Sequence, residues 1–242
     1  MSMTEVSLVL PAYNEAEDLE ETVRQTAETL REITLNFEII IAEDGATDGT
    51  DKIAEKLAEE HTYVKHLHSD KRLGRGSALN RAFKSASGDI LIYIDVDLAT
   101  DMLHLSELIG KIRDGYDLAT GSRMMPGSDA VRSAKRGFAS SGFNFLVRTL
   151  LRSKLYDHQC GFKAFRRDPL FDLLDQVKDE HWFWDTEILV RAQRSGYRVA
   201  EFPVRWRPGS ATKVDLKRDV VGMGGAILRL RRELGSNAGN KA

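Results

Sequence analysis

Apolar residues follow two alternating rhythms through the first half of the chain. Val6-Ser7-Leu8-Val9-Leu10 is a short β-rich run closed by Pro11, and Leu19, Val23, Ala27 and Leu30 then recur at helical spacing. Phe37 to Ala42 forms a second strand, apolar except for Glu38, and a polar turn from Asp44 to Gly49 follows it. Asp48 is placed to cap a helix carrying Ile53, Leu57 and Ala58. A further helix fits Ser77 to Ser87, with Gly88 as its stop. Ile90-Leu91-Ile92-Tyr93-Ile94 is apolar on both faces, which suits the middle of a parallel sheet covered by helices. This β-α-β order predicts an α/β, doubly wound architecture: a mostly parallel, Rossmann-like sheet flanked by helices.

The rhythm changes after residue 122. Arg123 to Gly137 is rich in Gly, Pro, Ser and Arg and reads as a long loop. Ser141 to Leu151 predicts a helix, Gly161 to Phe165 a strand, Asp185 to Arg194 a helix and Arg198 to Trp206 a strand. A last amphipathic helix covers Leu216 to Leu234. Leu216, Val220, Met223, Ile227, Leu230 and Leu234 share one face, with Lys217, Arg218, Arg229, Arg231 and Arg232 around it. With no internal repeat and no low-complexity linker, one domain over residues 1–214 is expected, followed by helix and tail at 215–242.

Composition narrows the partners more than the fold. The 242 residues are 42% hydrophobic and 30% charged, ordinary values for a globular chain. A net charge of −2 offers no basic field for nucleic acid. The single cysteine, Cys160, excludes an internal disulfide and suits a reducing, cytoplasmic compartment. Met1 to Glu5 lacks the basic and apolar regions of a signal peptide. Val220 to Leu228, the longest nearly apolar run, has nine residues and three glycines, against about 20 residues for a membrane span. A soluble or peripheral protein is expected.

Ligands of an open parallel sheet bind outside the carboxyl ends of its strands. Three polar clusters fall there: Pro11-Ala12-Tyr13-Asn14-Glu15, Glu43-Asp44-Gly45 and Asp95-Val96-Asp97. Asp95 and Asp97, two apart in extended backbone, share a face, and Mg²⁺ commonly takes one or two carboxylates plus substrate phosphates. Such a pair alone is as compatible with a solvated turn; its place directly after the buried strand favours the metal. Gly74-Arg75-Gly76-Ser77-Ala78 lacks the third glycine of the dinucleotide fingerprint and follows a charged stretch. It suits either close backbone approach to a phosphate or a plain helix-entry turn. The six histidines form no ligand set: His66 and His68 share a strand face without a third partner nearby in sequence, and His158 and His181 read as structural. No nucleophile elbow or Cys-His signature is present, so covalent catalysis is not indicated.

Val6 to Asn14, Glu43 to Thr50, Leu73 to Ala78 and Asp95 to Asp97 resemble, in order and spacing, the motifs of family 2 inverting glycosyltransferases with the GT-A fold. The likeness covers residues 5 to 215. Gly121-Ser122-Arg123, Arg136 to Asn144 and Asp157 to Phe165 are similar to polyprenyl (dolichyl) phosphate sugar synthases. Gln159 to Lys163 and Trp182 to Glu187 resemble the dolichyl-phosphate glucose branch more than the mannose branch.

The resemblance implies a single GT-A domain, with a nucleotide-sugar half at 1–122 and an acceptor half at 123–214. Pro11, Tyr13 and Glu15 would line the nucleoside pocket, and Asp44 would hydrogen-bond the base. Gly74 would lie along the donor, Lys213 would belong to a segment closing over it, and Asp95 and Asp97 would hold Mg²⁺ or Mn²⁺ on its diphosphate. Arg123, Arg136 and Ser140 would grip the acceptor phosphate, while Asp157, with Arg123 and Arg136, would act near the sugar. Two departures stand out. Glu43 replaces the first of the usual paired aspartates, keeping charge but changing reach. Ala99 stands where several mannose synthases have a metal-contacting glutamine.

The expected reaction is metal-dependent transfer of a hexose, from a donor of UDP-glucose or GDP-mannose type, to dolichyl or polyprenyl phosphate with inversion. A phosphate monoester, with its second pKa about 6, is largely dianionic at neutral pH and needs no strong base to become a nucleophile. Transfer to a soluble hydroxyl acceptor is the alternative and would make Asp157, Asp185 or Glu187 essential as base. A nucleotide-sugar binding module without turnover is a third reading. Arg123, Arg132, Lys135 and Arg136 form either a solvated basic loop or a surface for anionic headgroups. The final helix suits a membrane surface first, and otherwise the core or a homodimer. These features place the protein peripherally on the cytoplasmic face of a membrane.

Overall fold

The computed structural model describes residues 4–131, 134–209 and 216–239, without the side chains of 134–136, 216–221 and 236–239. Along the chain run β1 (Val6–Ala12), α1 (Leu19–Ile33), β2 (Phe37–Glu43), α2 (Thr50–Glu60), β3 (Val64–Leu67), α3 (Arg75–Ser85), β4 (Ile90–Ile94), α4 (Leu105–Arg113) and β5 (Leu118–Ser122). Then follow β6 (Asp129–Ala130), α5 (Ala134–Leu150), β7 (Phe162–Arg166), α6 (Arg167–Leu174), α7 (Trp184–Arg194), β8 (Val199–Pro203), β9 (Arg205–Trp206) and α8 (Leu216–Gly239). Seven strands make one sheet in the order β3-β2-β1-β4-β7-β5-β8. All pairings are parallel except those of β7, which is antiparallel to β4 and β5. β6 and β9 form a small parallel ribbon beside it.

Both faces of the sheet are covered, as the unbroken apolar strand β4 requires. Ile92 and Ile94 join Leu8, Leu10, Ile39 and Ile41 beneath α1, α2 and α4. Leu91 and Tyr93 join Val9, Ile40 and Phe165 beneath α3, α6 and α7, where Trp184 and Phe83 fill the layer. Each such side chain contributes roughly 1.5–3 kcal/mol by burial. The α/β expectation holds, and so does the mostly parallel sheet.

Several local expectations change. Gly49, at φ +97°, takes the N-cap of α2, and Asp48 accepts the Thr50 N–H from one position earlier. α3 stops at Ser85, so Gly88 is no helix stop; a Cβ there would lie 2.7 Å from the Ser7 nitrogen. Arg123 to Gly137 is not one loop: β6 pairs with β9, and α5 begins at Ala134. The strand expected over Arg198 to Trp206 is two, β8 and β9. β5 and α4 are elements the sequence pattern left unassigned. β5 ends in Thr120-Gly121-Ser122, and crowding requires a small residue at 121: a Cβ on Gly121 would lie 2.8 Å from Val204 Cγ1.

The last helix is docked on the core along its described part. Ile227 and Leu230 are buried against Val147, Leu151, Phe183 and Val190, with Met223 and Leu234 packed alongside. Arg229 reaches the fully buried Glu187 at 2.6 Å, and Glu233 meets Arg191 at 2.6 Å. The apolar face expected to lie on a membrane therefore covers α5 and α7 instead, while Leu216 and Val220 lie outside the described side chains. Among the described residues, no helix is long and apolar enough to cross a membrane.

Candidate active site

β4 ends at Ile94, and the chain turns sharply through Asp95-Val96-Asp97-Leu98. Leu98 has φ +45°, a left-handed conformation that costs a non-glycine residue roughly 1–2 kcal/mol. Asp97 Oδ1 accepts the Ala99 N–H at 3.1 Å, and the Thr22 hydroxyl of α1 donates to the Val96 carbonyl at 2.5 Å. The Asp95 N–H donates to the Gly161 carbonyl at 3.1 Å. A Cβ on Gly161 would fall 1.9 Å from Asp95 Oδ2, so only glycine lets the carboxylate lie there. Gly209 packs over Asp97, where a Cβ would lie 2.7 Å from the aspartate's own.

Burial, and then the like charge of Asp95, push the Asp97 carboxyl up. Asp95 Oδ1 is buried and has no aligned hydrogen bond, although Arg75 Nη2 lies 2.6 Å away. Arg75 is packed over Tyr93 and Trp182, and its Nε lies 3.8 Å from Asp185. Burial opposes its charge, but Asp95 and Asp185 outweigh burial and raise its pKa. Two adjacent carboxylates, with Arg75 shared between Asp95 and Asp185, fit a divalent cation.

Around this pair stand the loops after β1 and β2. Arg72 stacks over the Tyr13 ring at 3.9 Å, Asn14 takes φ +55°, and the Glu15 N–H donates to Thr50 Oγ1. The Asp44 carboxylate accepts the N–H groups of Leu73 and Gly74, both at 2.8 Å. Gly74, at φ +107°, packs its Cα against Glu180 and His181 and serves the entry to α3. Pro11 is half-buried at the end of β1.

β7 brings the second half of the site to the first. It runs antiparallel to β4, with Phe162 opposite Ile94, so the residues before β7 emerge beside Asp95. Among them Asp157 is fully buried and accepts three bonds from Arg123, from N at 3.0 Å, Nε at 2.7 Å and Nη2 at 2.9 Å. Burial opposes the Arg123 charge, and Asp157 outweighs it, raising the pKa; Asp95 adds to the same field. Glu201 of β8 holds the loop by accepting the N–H groups of Tyr156 and Asp157. Burial pushes the Cys160 thiol up to about 11, which leaves it protonated and inert. His158 is structural, enclosed by Asn144 Oδ1 and Ser153 Oγ, each at 2.7 Å.

The structure thus joins Asp95, Asp97, Arg123 and Asp157 at one edge of the sheet. Ser140 is half-buried on α5, its carbonyl accepting from Asn144. Lys213 and the side chain of Arg136 lie outside the described residues, as do Arg132 and the side chain of Lys135. Three groups near the site had no role assigned from sequence: Arg75, Lys163 and Glu201. Lys163 Nζ is fully buried and donates to Asp185 at 2.8 Å, to the Cys160 carbonyl and to Tyr93. Burial pushes Lys163 down and Asp185 up. A lysine between Phe162 and Ala164 in a buried strand was the available signal, since a charge there requires a partner.

Residues 7–174 match the family described as Glycosyl transferase family 2. This chain belongs to that family. The chain is 60% identical over 228 residues to Glycosyltransferase AglD of Haloferax volcanii, covering 93% of this chain but 36% of AglD. It thus spans about a third of that relative's length. It is 30% identical over 240 residues to the dolichyl-phosphate beta-glucosyltransferase of Dictyostelium discoideum, covering 93% of this chain and 73% of that protein. In fold it matches glucosyl-3-phosphoglycerate synthase from Mycobacterium tuberculosis, solved in complex with Mn²⁺, UDP and glucosyl-3-phosphoglycerate. That match has TM-score 0.67 and 21% identity, and covers 93% of this chain and 80% of that one. The GT-A fold follows.

Proposed function

We propose that this glycosyltransferase moves a hexose from a nucleoside diphosphate sugar to polyprenyl (dolichyl) phosphate, inverting the anomeric centre. One observation carries the proposal: a carboxylate pair and a clamped arginine meet where β7 crosses beside β4. Asp95 and Asp97 would hold the cation, with residues 1–122 serving the donor and 123–214 the acceptor. The names of the relatives support a lipid-phosphate acceptor and glucose, and the fold neighbour's UDP and Mn²⁺ support the donor class.

When bound, Mg²⁺ or Mn²⁺ neutralises charge on the departing diphosphate. Pro11, Tyr13, Glu15 and Asp44 line the nucleoside end, with Gly74 shaping the turn that Asp44 holds. Arg123, with Arg136 and Ser140 from α5, orients the lipid phosphate. Asp157 acts by fixing Arg123, since its carboxylate is buried and bonded to that guanidinium. A phosphate oxygen then attacks the anomeric carbon in line, and the carbon–oxygen bond to the diphosphate breaks with its electrons leaving on the nucleoside diphosphate. An α-linked donor gives a β-linked product. The work is positioning and charge stabilisation.

The same geometry weighs against a hydroxyl acceptor. That chemistry needs a base, and Asp157, Asp185 and Glu187 are all buried in ion pairs, with Arg123, Lys163, and Arg191 and Arg229. Phe138 and Phe145 stand exposed on α5, 84% and 65% open, with Leu146 beside them. They give a peripheral protein a surface for the cytoplasmic face of a membrane. Radiolabelled transfer from UDP-glucose or GDP-mannose to polyprenyl phosphate, with and without EDTA, tests the reading. Lipid-linked label that EDTA abolishes is expected. Label only on a sugar hydroxyl, or donor binding without transfer, overturns it.

A further inference from the structure

The fold supplies the partner that His66 and His68 lack in sequence. β2 and β3 pair with Ile41 opposite His66, which brings Glu43, two residues beyond Ile41, to the two histidines. Among the described residues, one ligand atom each of Glu43, His66 and His68 falls within 4.8 Å of the others. Glu43 Oε2 lies 2.6 Å from His68 Nδ1 and 4.0 Å from His66 Nε2. Three further observations point to an ion. His66 Nε2 is buried and has no hydrogen-bond partner. The far nitrogen of His68 lies 3.1 Å from Asp70, the carboxylate–histidine arrangement that orients metal ligands. The other oxygen of Glu43 accepts the Ala46 N–H at 2.5 Å. Asp51 and Glu55 of α2 add negative field at His66.

We propose that Glu43, His66 and His68 form a second cation site, for a Zn²⁺-class ion, separate from Asp95 and Asp97. Two imidazoles and one carboxylate are the donors that borderline metals take, and hard Mg²⁺ does not. His66 Nε2, His68 Nδ1 and Glu43 Oε2 supply three ligands, and water completes the shell. Any proton on His68 Nδ1 leaves to solvent as the metal binds. The longer reach of glutamate explains Glu43: its carboxylate meets the histidines while the neighbouring Asp44 holds Leu73 and Gly74. The ion stiffens the end of β2 and β3 from which Asp44 projects.

The test titrates chelator-stripped full chain with Co²⁺ and then Zn²⁺. One equivalent of Co²⁺ with the visible absorption of a four- or five-coordinate site is expected, displaced by Zn²⁺, with Tm raised. In His66→Ala and in the more exposed His68→Asn, affinity falls at least ~100-fold, and in Asp70→Asn about 10-fold. The spectrum persists in Asp95→Asn/Asp97→Asn. Folding of each variant is checked by circular dichroism. A wild-type protein without that absorption, or absorption lost from the aspartate variant and kept in His68→Asn, overturns the assignment.

Discussion

In the region of β1 to β4, each polar cluster lies at the end of the strand that precedes it in sequence, so chain order and site order coincide. From β5 onward they separate: Arg123 meets Asp157 across thirty-four positions, and only the antiparallel entry of β7 places both beside Asp95. The first region takes its geometry from local turns and the strained Leu98. The second takes it from buried ion pairs, Arg123 with Asp157, Lys163 with Asp185, and Glu187 with Arg191 and Arg229. A site built from local turns tolerates loss of one side chain as loss of chemistry. A site built from buried charges loses chemistry and stability together.

That contrast is open to experiment. Asp97→Ala is expected to lower transfer by about 10³-fold or more while leaving the circular dichroism and Tm unchanged. An active Asp97→Ala enzyme would remove the metal assignment. Arg123→Ala should lower kcat/KM for the lipid phosphate by about 10²–10³-fold, with donor KM little changed. Asp157→Ala should lose comparable activity and also about 3–5 kcal/mol of stability, because Arg123 is left buried and unpaired. Urea denaturation separates the two cases, and unaltered stability in Asp157→Ala would break the comparison.

Leu230→Ala tests the docked last helix and should cost about 2–5 kcal/mol if α8 closes the core as described. A neutral result would return that face to a membrane or a partner. The smallest effect concerns pH. Burial pushes His158 down to about 4 from its ordinary 6.5, so the fold holds it neutral. Below 6.5 the unfolded chain binds a proton that the folded chain refuses, and stability falls from pH 6.5 to about 4. The loss from this group is at most about 3 kcal/mol. Chemical denaturation at pH 7.5, 5.5 and 4 should show the fall in the wild type and a shallower one in His158→Gln.

How much of this could be read from the residues follows the same division. Asp95 and Asp97 were legible because a buried strand announces its own end. β5 was not, because crowding by Val204 requires glycine at 121, and a glycine in so short a run weakens the strand signal. The last helix showed its apolar face plainly, but periodicity cannot say what covers that face, and the answer rests on Glu187 and Val190 far away in sequence. Arg123 and Asp157 were each placed near the chemistry by family resemblance. Their mutual clamp was invisible, since nothing in a one-dimensional pattern pairs positions 123 and 157.

Gly161 has a consequence for anyone wishing to rebuild the protein. Because a Cβ there would overlap the Asp95 carboxylate, the two halves are interlocked at one backbone atom rather than merely adjoining. A chimera that grafts a foreign segment from β5 onward onto β1 to β4 must carry a glycine at that point. Random diversification of position 161 should likewise recover active clones only with glycine there.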